Sequence, residues 1–174
     1  MPKAAVPPRH SFELFRAYVP RWAHAPLSGA GASHFGGRWN PVGASTIYAA
    51  LELSTAWSEY NQGLTQHPAL LALLRLSNAA IADLSDEAVL ERFGIPHDIH
   101  EEEWRALVDR GEEPTAYAVR RAILAAGYDG VIYPSFMSRG GRCMALWAWN
   151  ETGPAKLEVI DPERRLPLSP ASWL

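Results

Sequence analysis

Gly36-Gly37-Arg38-Trp39-Asn40-Pro41-Val42-Gly43 leads into Ser45-Thr46-Ile47-Tyr48-Ala49-Ala50, and that into Ala56-Trp57-Ser58-Glu59-Tyr60. The first piece is turn chemistry, with Gly, Asn and Pro together. The second reads as a strand. The third reads as a helix capped by Ser54 or Thr55. Arg38, Tyr48 and Glu59 are thereby set ten and eleven positions apart around one strand-to-helix corner. A guanidinium is a rigid fork for phosphate oxygens. A tyrosine ring offers a flat face to an aromatic base. A carboxylate stabilises positive charge developing on a sugar carbon. The three groups together suit a dinucleotide whose glycosidic bond is to be broken.

Outward from this corner, Ser11 to Tyr18 alternates as a strand carrying Arg16, and residues 20–37 form a long loop. Ala69 to Leu76 is an apolar run that periodicity alone leaves open between a strand and a buried helix; strand is preferred because Ile81-Ala82-Asp83-Leu84 continues it as a short extended piece. Ser85 caps a helix over Glu87 to Phe93 that Gly94 ends. Residues 97–111 are acidic and helical around Trp104 and Leu107. Pro114 and Thr115 open an amphipathic helix over Tyr117 to Ala126, with Arg120 and Arg121 opposite its apolar side. Gly130 to Pro134 is a strand running into Ser135, Cys143 to Trp149 is an apolar strand, and Leu157 to Ile160 is a last one. Strands and helices mix without regular alternation, which predicts an α+β domain and not a doubly wound sheet.

The chain has 174 residues, 48% hydrophobic and 20% charged, which fits one folded domain with a sizeable core. A net charge of −3 argues against broad, sequence-independent nucleic-acid binding. The lone cysteine, Cys143, excludes an intramolecular disulfide framework and agrees with a cytoplasmic address. No stretch approaches the ~20 apolar residues of a membrane helix, so no membrane contact is expected. Residues 1–11 are proline-rich, basic and loose; residues 162–174 form a Pro-rich tail. Most of the seven tryptophans are expected in the core.

Phe15-Arg16-Ala17, Leu27-Ser28-Gly29-Ala30-Gly31, Gly36-Gly37-Arg38-Trp39-Asn40, Ile47-Tyr48-Ala49-Ala50, Ala56-Trp57-Ser58-Glu59 and Gly130-Val131-Ile132-Tyr133-Pro134-Ser135 together resemble the RES domain, over residues 12–161. That family is named for an Arg, a Glu and a Ser, and its members are mostly toxins of bacterial toxin–antitoxin pairs. The resemblance implies a compact single domain like the ADP-ribosyltransferase fold, with a cleft between small sheet regions. It implies NAD+ as a consumed substrate, with no resident cofactor. With it, Arg38 is read as holding the phosphates or adjoining ribose, Tyr48 as stacking on nicotinamide or bonding a ribose, Glu59 as serving the ribose and the acceptor, and Ser135 as bonding the nicotinamide amide or a phosphate. Arg16 is the second candidate phosphate ligand or a prop of the site. The implied partners are an antitoxin occluding the cleft and a target protein accepting ADP-ribose. NAD+ hydrolysis or phosphorolysis without a protein acceptor is the second enzymatic reading, and a non-catalytic partner-binding module is the reading of another class.

Each residue also has a plainer reading. Arg38 would be a surface arginine paired with a carboxylate, Tyr48 a strand tyrosine with a wet hydroxyl, Glu59 a helix-surface glutamate and Ser135 a strand-end serine. Ala56, Trp57 and Tyr60 around Glu59 argue for a partly buried face, where a carboxylate needs partners. Glu52 is its nearest decoy. No Gly-x-Ser-x-Gly elbow surrounds Ser135, so it is not read as a hydrolase nucleophile. Gly140-Gly141 has no Lys-Ser or Lys-Thr sequel and is no phosphate loop. Gly29-x-Gly31 is not a full dinucleotide fingerprint. His97 and His100, three apart beside Asp98 and Glu101 to Glu103, read as a solvated acidic helix start in preference to a metal site. Cys143 reads as an inert core thiol.

Overall fold

The computed structural model describes residues 6–63 and 66–173. The strands are β1 (His10–Tyr18), β2 (Ile47–Ala50), β3 (Leu70–Ala79), β4 (Ile81–Asp83), β5 (Gly130–Pro134), β6 (Arg142–Leu146) and β7 (Lys156–Val159). The helices are α1 (Ala30–Phe35), α2 (Leu53–Asn61), α3 (Glu87–Phe93), α4 (Trp104–Asp109) and α5 (Thr115–Ala125). All seven strands form one sheet in the order β4-β5-β6-β2-β1-β3-β7, and only the β4–β5 pair is parallel. This is the expected α+β class. In place of the small sheet regions expected beside the cleft there is this one continuous sheet.

Side chains alternate across the sheet. Leu14 and Tyr18 of β1, Ile47 of β2, Ile132 of β5 and Met144 and Leu146 of β6 pack together in one buried cluster. The opposite parity faces a second cluster, in which Val131 and Ala145 join Trp39, Leu90, Val119 and Ile123. Helix α5 presents Ala116, Val119 and Ile123, at helical spacing, to that second cluster. At the centre of the sheet, this same face is left open and forms the floor of a cleft.

Several local expectations are corrected. The residue-20–37 stretch is not all loop: it holds a short 3-10 turn (Pro20–Trp22) and α1, bounded by Gly29 and Gly36. Helix α2 starts at Leu53, so its N-cap stands two residues before Ser54 and three before Thr55, the expected caps. Glu52 stands at its N-cap position, and the buried Thr55 hydroxyl donates to the Glu52 carboxylate at 3.2 Å. Asp86, not Ser85, caps α3, accepting from the Ala88 amide at 2.9 Å. The acidic stretch divides into a 3-10 turn (Ile99–Glu101) and α4. The strand expected to Trp149 ends at Leu146.

The segment expected to be loose is anchored where it is described. Arg9 donates to the Asn78 carbonyl at 2.6 Å and pairs with the buried Asp129 at 3.0 Å. Asp129 also accepts from the Ala80 amide at 2.9 Å, so its burial is compensated. Residues 1–5 of that expectation lie outside the described residues. The Pro-rich tail is tied to the domain by the amides of Arg165 and Leu166, which donate to Asp161, and a 3-10 turn closes at Pro170–Trp173. Of the tryptophans, Trp39 and Trp147 are core residues, whereas Trp22 is 55% exposed. Among the described residues no helix is long and apolar enough to cross a membrane.

Candidate functional site

A cleft of about 1310 Å³ opens over the sheet centre. Its floor carries Phe15 and Ala17 of β1, Tyr48 of β2, Tyr133 of β5 and Cys143 of β6. One wall is the Gly36–Arg38 turn. A second is built from Ala56, Glu59 and Tyr60 of α2 with the turn after Ser135. The third runs from His100 to Asp109.

Arg38 is aimed into this cleft by the residues around it. Trp39, fully buried, plugs the core beside Tyr133, with ring centroids 5.3 Å apart. The turn is closed by paired backbone bonds between Gly37 and Asn40. The buried Asn40 amide donates to the carbonyls of Ala32, Pro41 and Ala44. The Tyr48 hydroxyl accepts from the Trp39 amide at 3.0 Å and donates to Asn40 Oδ1 at 2.7 Å. A Cβ on Gly37 would stand 2.6 Å from that hydroxyl, so only glycine fits there. Burial pushes the Tyr48 phenol well above its ordinary pKa, and it stays neutral. The Arg38 guanidinium donates to the His100 carbonyl across the cleft. The imidazole of His100 is held below its usual pKa by burial and then by Arg38.

Glu59 sits in the second turn of α2, facing the sheet. Ser135 donates to Glu59 Oε1 at 2.5 Å. The Met137 amide reaches the same oxygen at 3.3 Å and the Cys143 thiol at 3.7 Å. Ser135 Oγ in turn accepts from the amides of Ser138 at 2.9 Å and Met137 at 3.2 Å. The Ser135 amide donates to the Gly141 carbonyl at 2.8 Å. A Cβ at Gly141 would meet Thr55 Oγ1 at 2.3 Å, so this turn packs directly on α2. Burial, and then Glu59, push the Cys143 thiol up to about 12. It remains a neutral donor. It is buried, as expected, and it also touches the site carboxylate.

Four of the five expected residues therefore converge: Arg38, Tyr48, Glu59 and Ser135 all line one cleft. Arg16 does not. It shares strand parity with Leu14 and Tyr18 and lies on the opposite face from Phe15 and Ala17. Its guanidinium is engaged by the carbonyls of Pro26 at 2.6 Å and Ser28 at 2.9 Å. Glu52 also stays off the cleft, accepting from the Arg142 amide at 3.1 Å. His97 pairs with Glu87 at the surface at 3.3 Å, while His100 faces the cleft. Among the described residues no group of three His, Cys, Asp or Glu side chains is placed to hold a metal. Sequence reading gave no role to Asn40, Tyr133 or His100. The first two stand inside quoted motifs, so their signal was adjacency to Arg38 and Ser135.

No curated protein matches the chain. Among solved structures it is similar to a chain of the M. tuberculosis MbcT–MbcA toxin–antitoxin complex, with a TM-score of 0.68, 23% identity, and coverage of 88% of this chain and 83% of that one. This likeness shows a shared fold. The model of the RES domain matches residues 13–169, beyond the limit at 161 expected from the motifs. With nearly the whole sequence matched, and with an Arg, a Glu and a Ser gathered in one cleft, the chain belongs to the RES domain family.

Proposed function

We propose that this chain is the toxin of a toxin–antitoxin pair and that it consumes NAD+, passing ADP-ribose to an acceptor. The observation that carries the reading is the Glu59–Ser135 pair, at 2.5 Å, in the same cleft as Arg38. The cleft exceeds the usual volume of a small-molecule site and has room for a dinucleotide.

In this reading Arg38 exchanges the His100 carbonyl for a phosphate oxygen of the bound dinucleotide. The bond between nicotinamide nitrogen and ribose C1′ breaks, and its electron pair leaves with the nicotinamide. The pyridinium is thereby neutralised, so no acid is required. Positive charge develops on the ribose, and the Glu59 carboxylate stabilises it. Ser135, Met137 and Cys143 fix that carboxylate in place before the reaction. The acceptor then adds to C1′, and its proton passes to solvent water. Arg16 acts at one remove, holding the Pro26–Ser28 segment that leads into α1 and Arg38.

A partner covering the cleft is supported by exposed apolar residues at its rims. Phe35 is 80% and Val42 69% exposed beside Gly36, and Phe136, next to Ser135, is 79% exposed. The similar chain was solved in a toxin–antitoxin complex. We expect the antitoxin to insert between the 26–37 segment and the Ser135 turn. Titration of the purified protein with antitoxin in the presence of a non-reactive NAD+ analogue tests this. Mutually exclusive binding is expected; simultaneous binding at undiminished affinity would remove the occlusion.

A further inference from the structure

Three tyrosines line the cleft, and their hydroxyls differ. That of Tyr48 is engaged on both sides by the Trp39 amide and Asn40. That of Tyr60 donates to the Pro68 carbonyl at 2.9 Å. That of Tyr133 makes no hydrogen bond among the described residues, although the side chain is mostly buried and lies in the cleft floor. A cleft hydroxyl that reaches solvent and has no protein partner among the described residues is free to bond a ligand.

Tyr133 also stands between the two charged ends of the site. Its ring packs on Trp39, the neighbour of Arg38. Its cross-strand partner is Cys143, whose thiol touches Glu59, and Ser135 follows two residues later. A dinucleotide held by its phosphates at Arg38, with C1′ facing Glu59, places its nicotinamide-side ribose between them. We infer that Tyr133 is the substrate-contacting tyrosine of this cleft, hydrogen-bonding a hydroxyl of that ribose, and that Tyr48 is a positioning residue acting through the Arg38 turn. This inference rests on the NAD+ reading. Burial raises the Tyr133 phenol well above its ordinary pKa, with Cys143 and Tyr48 adding to the effect, so it stays a neutral donor over the working pH range.

The test combines Tyr133→Phe with NAD+ analogues lacking the 2′- or the 3′-hydroxyl of the nicotinamide ribose, read as kcat/KM for nicotinamide release. Tyr133→Phe keeps the ring on Trp39, so its melting temperature should match the wild type. Its kcat/KM for NAD+ should fall about tenfold, the value of one hydrogen bond in a desolvated site. The wild type should lose a similar factor with one of the two analogues, and Tyr133→Phe should lose nothing further with that analogue. Wild-type kcat/KM in Tyr133→Phe, or losses that multiply with both analogues, would overturn the assignment. Absence of nicotinamide release by the wild type would overturn the NAD+ reading, and this assignment with it.

Discussion

The Ser135 hydroxyl donates to Glu59 Oε1 at 2.5 Å, joining the strand end after β5 to the second turn of α2 across 76 positions of sequence. The same serine oxygen accepts two backbone amides, from Met137 and Ser138. The turn therefore holds the serine, and the serine holds the carboxylate. Ser135→Ala should leave NAD+ binding within a few-fold while kcat falls on the order of ten- to a hundredfold, the range for a hydrogen bond to a charged group. Nicotinamide release under saturating NAD+ measures it. An unchanged kcat would mean that Glu59 is adequately placed by Met137 and Cys143 alone.

Arg38→Lys keeps the charge and loses the planar fork. We expect kcat/KM to fall on the order of tenfold or more and toxicity to be relieved when the gene is expressed alone. Growth after induction without antitoxin, alongside the kinetics, reads both. A fully active Lys variant would reduce Arg38 to bridging the cleft at the His100 carbonyl.

Tyr48→Phe should act through structure. The buried Asn40 oxygen and the Trp39 amide each lose a partner, at a cost of about 2 kcal/mol in all. Chemical denaturation should show a lower midpoint with an unchanged slope. Activity should fall because the Arg38 turn loosens, with KM rising more than kcat falls. Full stability combined with lost activity would instead make Tyr48 a direct substrate contact.

The corner from Gly36 to Glu59 was legible because it is local: turn, strand and helix follow one another, and each signal has its own period or breaker. Ser135 was legible only through its motif, since no local pattern foretells a contact 76 positions away. Sequence leaves Arg16 open between ligand and prop because β1 is a central strand, between β2 and β3, with apolar residues on both faces. Phe15 and Ala17 there look no different from Leu14 and Tyr18, so parity could not be assigned to the cleft. Helix α1 was missed because six residues of Ala, Gly, Ser, His and Phe between glycines carry no apolar stripe. Asp86 and Ser85 are both good caps and adjacent, and the sequence does not choose between them. Tyr133 stands inside a quoted motif with no signal of its own. Its free hydroxyl is visible only once the partners of Tyr48 and Tyr60 are known.

In the proposed reaction, Glu59 stabilises charge on a ribose as NAD+ is cleaved. Purified wild-type protein and Glu59→Gln should be compared for nicotinamide release and for NAD+ affinity. The variant keeps shape and removes the charge. Release by the wild type is expected, with a loss of more than ~100-fold in the variant and affinity unchanged within a few-fold. No release by the wild type, or near-normal release by Glu59→Gln, would contradict it.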